Sequence, residues 1–239
     1  QIELIQAVAK ANENTVVVLN NGSPVAMDGW LDRVAAVVEA WFPGQECGNA
    51  IADILFGKVN PSGKLPLTFP GRIEDNPAYL NYPGENGKVL YGEGLFVGYR
   101  YYDAKKIEPL FPFGCGLSYT TFEYSNLTLS SSRIGADETL EVTLDVKNTG
   151  GVAGKEVVQL YIRDLESSLV RPRKELKGFC KVDLMPGEID SVSFTIGRDE
   201  LSFYDPVQKA WTAEPGDFEV IVGASSRDIR ARALFSLAG

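Results

Sequence analysis

Residues 41–70 read WFPGQECGNAIADILFGKVNPSGKLPLTFP and decide the fold of the first part of the chain. An apolar run over residues 35–42 predicts a buried strand that ends at a Pro-Gly pair. Residues 45–56 then place small and aliphatic side chains on one face of a helix, and Gly57 stands where helices commonly end. The Asn-Pro-Ser-Gly run at residues 60–63 predicts a turn into an extended segment. This order of elements indicates α/β architecture.

The residues before this stretch continue the same alternation. Ile2, Ile5, Val8 and Ala9 have the spacing of an amphipathic helix. Residues 16–19 are a continuous apolar run, typical of parallel strands that are covered on both faces. Strands separated by helices predict a mostly parallel sheet. We therefore expect residues 1–70 to form a portion of an α/β sandwich, with part of its sheet present.

Residues 71–120 have a different composition, rich in glycine, proline and aromatic residues. A segment this long and this aromatic is expected to pack on another surface. We predict an interdomain strap that buries its tyrosines: Tyr79, Tyr82, Tyr91, Tyr99, Tyr101 and Tyr102.

Apolar and polar residues alternate with a period of two from residue 121 onward. Leu140, Val142, Leu144 and Val146 alternate with polar neighbours, as in a half-buried antiparallel strand. Further strands are predicted at 157–162, 175–184, 191–196, 218–222 and 230–237. About seven short strands separated by turn signals indicate an all-β sandwich over residues 121–239.

Composition excludes several classes of function. The 239 residues carry a net charge of −9, which disfavours nucleic-acid binding. The one basic cluster, formed by Arg171, Arg173, Lys174 and Lys177, is interpreted as a solvated strand edge. The chain has no histidine, so Ser-His-Asp catalysis and most zinc sites are not expected. The three cysteines are too few for a disulfide framework.

No membrane segment or cofactor is expected. The aliphatic runs are far too short to span a bilayer. The glycine-rich spots lack nucleotide-binding spacing, and the acidic residues lack a calcium-loop pattern. No signal peptide is visible, and a start at Gln1 suggests the interior of a longer protein, so the compartment stays open.

Two blocks resemble a known family. The stretch at residues 41–70 resembles the C-terminal half of family 3 glycoside hydrolases of the β-glucosidase type. A second block, FPFGCGLSYTTF at residues 111–122, resembles that family's junction between an α/β-sandwich domain and a fibronectin type III-like domain. The resemblance covers the whole chain. Cys47 and Cys115 depart from it, standing where glycine and an aromatic residue are expected.

The resemblance implies a retaining, exo-acting hydrolase that removes terminal β-D-glucosyl residues from β-glucosides or short oligosaccharides. The family's aspartate nucleophile lies on an N-terminal (β/α)8 barrel, and its glutamate acid/base lies in a loop just ahead of the first helix of this chain. Neither motif matches a position here. The sequence therefore predicts no catalytic residue in this chain, no activity in isolation, and a barrel part as partner. A homodimer is left open.

Three residues are candidates for substrate contact. Trp41 follows a strand and could form a wall for a sugar ring, with core packing as the alternative. Glu46 begins a helix at the carboxyl end of that strand, where α/β sheets place ligands, with a capping role as the alternative. Glu93 lies in the aromatic strap and could face a sugar or orient the strap.

Two other functions stay open. A β-xylosidase or a broad-specificity β-glycosidase belongs to the same family. A non-catalytic carbohydrate-binding sandwich would expose aromatic residues on one face. The expectation here is that Trp211 is buried against a neighbouring domain and that the other sandwich aromatics mostly point inward or lie in turns: Tyr161, Phe179, Phe194, Phe203, Tyr204 and Phe218.

Overall fold

The computed structural model describes all 239 residues, and its first part is α/β. Helix α1 (Ile2–Ala11) leads to strand β1 (Val16–Leu19), which pairs in parallel with β2 (Ala36–Glu39). Helix α2 (Cys47–Leu55) follows. These elements confirm the predicted alternation. Both strands are half-buried rather than covered on both faces.

The strand predicted over residues 35–42 is shorter in the structure. It ends at Glu39, and Trp41 adopts a left-handed backbone conformation with φ of 50°. A residue with positive φ cannot continue a strand. Below the strands, Met27, Trp30 and Phe69 form a small buried core.

The aromatic strap is only partly buried, so the prediction that its tyrosines all pack was wrong. Tyr99 and Tyr102 are buried in a short helix, α3 (Tyr99–Lys105), which the sequence did not predict. Tyr99 packs at 5.0 Å from Phe113 and 5.8 Å from Tyr161, measured between ring centroids. Tyr101 is half-buried. Three tyrosines of the preceding segment are exposed: Tyr79, Tyr82 and Tyr91.

The last part is a two-sheet sandwich that includes every strand predicted for it. A five-stranded sheet has the order β4-β12-β11-β6-β7, and a three-stranded sheet has the order β3-β5-β8. The strands are β3 (Phe122–Leu129), β4 (Arg133–Ile134), β5 (Leu140–Asn148), β6 (Gly154–Asp164), β7 (Glu175–Leu184), β8 (Ile189–Ile196), β11 (Gly216–Gly223) and β12 (Ile229–Leu237).

Helix α4 (Arg198–Leu201) and a small hairpin of β9 (Phe203–Asp205) and β10 (Ala210–Thr212) complete the chain. The main core lies between the two sheets and contains 18 buried residues. The alternating residues of β5 all belong to it, as the period of two predicts: Leu140, Val142, Leu144 and Val146.

The basic cluster is not a solvated edge, which corrects the sequence interpretation. The Arg171 side chain is 8% exposed and forms ion pairs of 2.9 Å with Asp164 and Glu175. Lys174 is equally enclosed and pairs with Asp103 on α3. Burial lowers the pKa of Lys177. Only Arg173 is exposed, and the carboxylates of Asp164, Glu175 and Asp103 pair with the enclosed Arg171 and Lys174.

All three cysteines are free thiols. No helix has the length and apolar character needed to cross a bilayer. No group of three or more histidine, cysteine or acidic side chains is arranged to hold a metal ion.

Candidate functional site

The candidate site begins where β2 ends. The Trp41 backbone N–H donates a hydrogen bond of 3.0 Å to Glu39 Oε1 across the turn that follows the strand. Trp41 has the left-handed backbone conformation, with φ of 50°, at this bond. Non-glycine residues in this conformation cost free energy and are found where the surrounding structure holds them in place.

Glu39 is a half-buried carboxyl group that the sequence analysis overlooked. Burial raises its pKa, and the hydrogen bond from Trp41 opposes that rise. In the amide orientation that satisfies both groups, Asn21 donates to Glu39 Oε1 at 3.0 Å. Asn21 follows the neighbouring strand, so the carboxyl ends of β1 and β2 meet here. The sequence signal that could have identified Glu39 is its position as the one charged residue in an apolar run.

The Trp41 ring is half-buried and lies 6.1 Å from the Phe69 ring, measured between centroids. One part of the ring therefore belongs to the small core, and the remainder faces outward. The next residue, Phe42, is 83% exposed and covers Gly22, where a Cβ atom would lie 2.5 Å from the ring. Two adjacent aromatic rings thus form the outer edge of the sheet end.

Glu46 immediately precedes α2 and is exposed. Its carboxylate does not cap a backbone N–H group of the helix. Instead, Glu46 Oε2 accepts a hydrogen bond of 2.6 Å from the side chain of Asn49. The carboxylate is therefore held at the helix start with room for a further donor.

Glu93 lies in the strap, and its Oε2 atom is buried without a hydrogen-bond partner. Buried acceptors without partners are uncommon, because each one costs desolvation free energy. No hydrogen bond or ion pair joins Trp41, Glu46 and Glu93 to one another. The structure therefore links Trp41 to Glu39 and leaves the other two candidates separate.

A buried polar junction fixes the α/β part on the sandwich. Lys64 Nζ lies 3.0 Å from Glu156 Oε1 and donates to the Gly116 carbonyl at 3.1 Å. Tyr124 donates to the same glutamate at 3.1 Å. Asn60 joins the two parts again through a 3.0 Å bond to the Ala153 carbonyl.

The structure thus defines an α/β unit continued by a sandwich of the fibronectin type III-like class. Residues 156–226 match the fibronectin type III-like domain, and residues 1–99 match the glycosyl hydrolase family 3 C-terminal domain. The chain thus carries the C-terminal domain of glycosyl hydrolase family 3, followed by a fibronectin type III-like domain.

Relatives with this architecture are closely similar. The chain is 55% identical over 229 residues to thermostable beta-glucosidase B of Acetivibrio thermocellus. The matched stretch covers 96% of this chain and 30% of the relative. A β-glucosidase crystal structure from Bifidobacterium adolescentis superposes with a TM-score of 0.94 at 44% identity, over 99% of this chain and 35% of that one. The crystal structure of the Kluyveromyces marxianus β-glucosidase in complex with glucose superposes with a TM-score of 0.93 at 47% identity. The match covers 100% of this chain and 28% of that one. The chain therefore spans about a third of its relatives' length.

Proposed function

We propose that this chain is the C-terminal part of a retaining, exo-acting β-glucosidase that removes terminal β-D-glucosyl residues from short β-glucosides. The observation that carries this proposal is 55% identity over 96% of the chain to a β-glucosidase. A sandwich used only as a spacer would not require such similarity in the α/β part as well. The division of the chain at residues 70 and 120 belongs to the same proposal.

The two catalytic carboxyl groups are assigned to the part of the relatives that this chain does not match. A retaining mechanism needs a nucleophile and an acid/base on opposite sides of one glycosidic bond. The sheet end offers Glu39, which is held by Trp41 and Asn21, and Glu46, which is held by Asn49. Carboxylates already engaged in this way suit support or substrate contact better than nucleophilic attack.

The surface of residues 1–120 supports a partner made of further protein. Twenty large hydrophobic side chains of these residues are exposed, and only six hydrophobic side chains are buried. The exposed set includes Leu4, Phe42 and Phe56. A surface this apolar is typical of one that is covered in the assembled protein. We assign the cover to the catalytic barrel part, with a second copy of the chain as the alternative.

Trp41, Glu46 and Glu93 are the proposed substrate contacts. The half-exposed ring of Trp41 provides an apolar wall for the C–H face of a sugar. Each glutamate carboxylate can accept further hydrogen bonds: Glu46 accepts one hydrogen bond in this chain, and Glu93 Oε2 accepts none. Sugar hydroxyl groups are donors of the kind these oxygens lack.

A fusion protein tests the proposal. This chain would replace the matching 229 residues of thermostable beta-glucosidase B, and the product would be assayed with aryl β-glucoside and aryl β-xyloside. We expect hydrolysis of the glucoside in preference to the xyloside. A folded fusion that is inactive on both would contradict the proposal, and a preference for xyloside would favour the β-xylosidase alternative.

One observation favours a second function, carbohydrate binding by the sandwich. Trp211 is 69% exposed rather than covered by a neighbouring domain in this chain, and its ring lies 5.9 Å from that of Tyr204, which is also exposed. Phe179 is exposed as well, whereas the expectation for the other aromatics holds: Tyr161, Phe203 and Phe218 are buried and Phe194 packs on the core. Binding to insoluble β-glucan that is abolished by Trp211→Ala would support this role.

A further inference from the structure

A strongly cationic pocket lies where α3 packs on the outer face of the five-stranded sheet. Its cavity volume is about 340 Å³, within the range of small-molecule sites. Ile221 and Ile229 form its floor. One carboxylate, that of Asp103, lines the pocket together with six cations. The cations are Lys106, Arg163, Arg173, Lys174, Arg227 and Arg232.

The carboxylates around the pocket are too few to neutralise it. Asp103 is shared by Lys174 and by Arg227, whose Nε lies 3.2 Å away. Glu219, just outside the lining, is likewise shared by Arg232 at 3.0 Å and Arg163 at 3.7 Å. Four cations thus share two carboxylates, buried Asp103 and half-buried Glu219, as ion-pair partners. Glu108 adds one exposed contact of 3.7 Å to Arg227.

Two further cations have no carboxylate at all. Lys106 follows the last residue of α3, and Arg173 precedes β7; both side chains are exposed at the rim and form no ion pair. Six cations therefore face three carboxylates. An excess of positive charge of this size in a concave site attracts anions, because the surrounding protein focuses the field.

Ser226, another residue that lines the pocket, carries a buried hydroxyl group without a partner. Ser226 is 2% exposed, and its Oγ atom makes no hydrogen bond. Its backbone N–H is satisfied by the Phe113 carbonyl at 2.9 Å, so the residue is held firmly and only its hydroxyl is left over. A hydroxyl group can donate to an oxyanion, which the apolar floor cannot do.

We propose that this pocket binds a phosphate-type oxyanion, either free phosphate or the phosphate group of a small metabolite. Arginine forks match the oxygen geometry of phosphate, and lysine adds a point charge. The excess of positive charge suits a dianion better than a singly charged carboxylate. The remaining volume accommodates an organic group attached to the phosphate.

The surroundings of Lys174 agree with this assignment. Its Nζ lies 5.9 Å from the ring centroids of both Tyr99 and Tyr161, which hold the ammonium group beside the pocket. Burial lowers the pKa of Lys174, and Asp103 only opposes that shift. A bound dianion would add the missing compensation for the buried charge.

Isothermal titration calorimetry of the 239-residue chain tests the proposal with two probes, inorganic phosphate and glucose 6-phosphate. Potassium chloride at matched ionic strength corrects for screening. We expect saturable binding of phosphate by the native chain. Tighter binding of glucose 6-phosphate would identify a phosphorylated metabolite as the source, and equal affinity would identify free phosphate.

Paired variants assign the binding to this pocket. The double variant Lys106→Asn, Arg173→Gln removes the two unpaired cations, and asparagine tolerates the left-handed conformation of residue 106. We expect about tenfold weaker binding or more, as for the loss of charge-assisted hydrogen bonds. The control, Lys209→Asn, Arg133→Gln, removes the same charges at exposed positions, one of them also left-handed with φ of 55°.

Ser226→Ala provides an independent readout, because it removes only the unpartnered hydroxyl group and should leave the melting temperature unchanged or raise it. We expect it to weaken binding severalfold. The proposal is overturned if the native chain shows no saturable binding of either probe. It is also overturned if the pocket variants and the control variant bind alike.

Discussion

Lys64 and Glu156 form a buried ion pair between the α/β part and the sandwich, with Nζ and Oε1 3.0 Å apart and side chains 12% and 5% exposed. Tyr124 and the Gly116 carbonyl complete the hydrogen bonding of the pair. The pair joins the extended segment that follows α2 to the third residue of β6. The ion pair therefore helps to hold the α/β part in a fixed position on the sandwich.

Removal of one partner should destabilise this junction strongly. Lys64→Met leaves Glu156 buried without its counter-charge, and such losses cost about 3–5 kcal/mol. For a chain of this size, that corresponds to roughly 6–20 °C in melting temperature. The neighbouring exposed pair of Lys155 and Asp183, at 2.9 Å, is the control. Lys155→Met should cost less than about 1 kcal/mol; equal losses at both positions would contradict the role of Lys64.

Gly114 should not tolerate a side chain. It has φ of +81°, and a Cβ atom would lie 2.2 Å from Oε1 of buried Gln159. The Nε2 group of Gln159 donates hydrogen bonds to the Gly114 and Ala224 carbonyls, which hold this side chain in place. Gly114→Ala combines left-handed strain of about 1–2 kcal/mol with overpacking of about 1–3 kcal/mol. Gly187→Ala has nearly the same φ, +80°, but open space around it. Thermal unfolding should show a clearly larger loss at Gly114, and similar losses would refute the clash.

Three tyrosines with raised pKa values should make the chain sensitive to alkali. Burial raises the pKa of Tyr102 to about 12 and raises the pKa values of Tyr124 and Tyr161 further. Between pH 10 and 12 the unfolded state loses these phenol protons while the folded state keeps them. The stability is therefore fully present below pH 10 and falls as pH rises, by about 1.4 kcal/mol per pH unit for each group.

The ultraviolet absorbance of tyrosinate measures this effect directly. Of the ten tyrosines, three should ionise only above pH 10 or together with unfolding. Tyr102→Phe, which removes a hydroxyl group without a protein hydrogen bond, should reduce the alkaline slope of the free energy of unfolding by about a third. Ionisation of all ten in one step near pH 10 would contradict the burial of these groups.

Glu93→Gln separates stability from substrate contact. It replaces a carboxylate whose Oε2 is buried without a partner, so the melting temperature of the chain should hold or rise. In the active fusion, the same change should raise KM for aryl β-glucoside if Glu93 accepts a sugar hydroxyl group. Glu85→Gln, at an exposed position of the same strap, is the control. An unchanged KM would remove Glu93 from the proposed contacts.

Local periodicity explains which elements could be predicted from the sequence. The strand predicted at residues 175–184 coincides with β7, and the Pro-Gly turn at residues 186–187 follows its last residue closely. Strand β3 was missed because Asn126 has φ of 54° and a bulge there interrupts the alternation. Helix α3 was missed because three of its seven residues are tyrosines, which have low helix preference, and packing of Tyr99 against Phe113 and Tyr161 stabilises it instead.

The candidate sites depended on contacts that no local pattern contains. Lys174 is enclosed because Asp103, 71 residues earlier, meets it. Glu39 is bonded by Asn21, which follows the adjacent strand, and by the backbone of Trp41. Motif similarity, in contrast, identified the family, because residues 41–70 and 111–122 retain its residue order.

We propose that this chain supports a glycosidase without supplying its catalytic carboxyl pair. The most direct measurement is the turnover of an aryl β-glucoside by the purified 239-residue chain, beside the fusion with the remaining part of thermostable beta-glucosidase B. We predict no turnover by the chain above the uncatalysed rate and clear turnover by the fusion. Hydrolysis by the chain alone at a rate comparable to the fusion would contradict the claim.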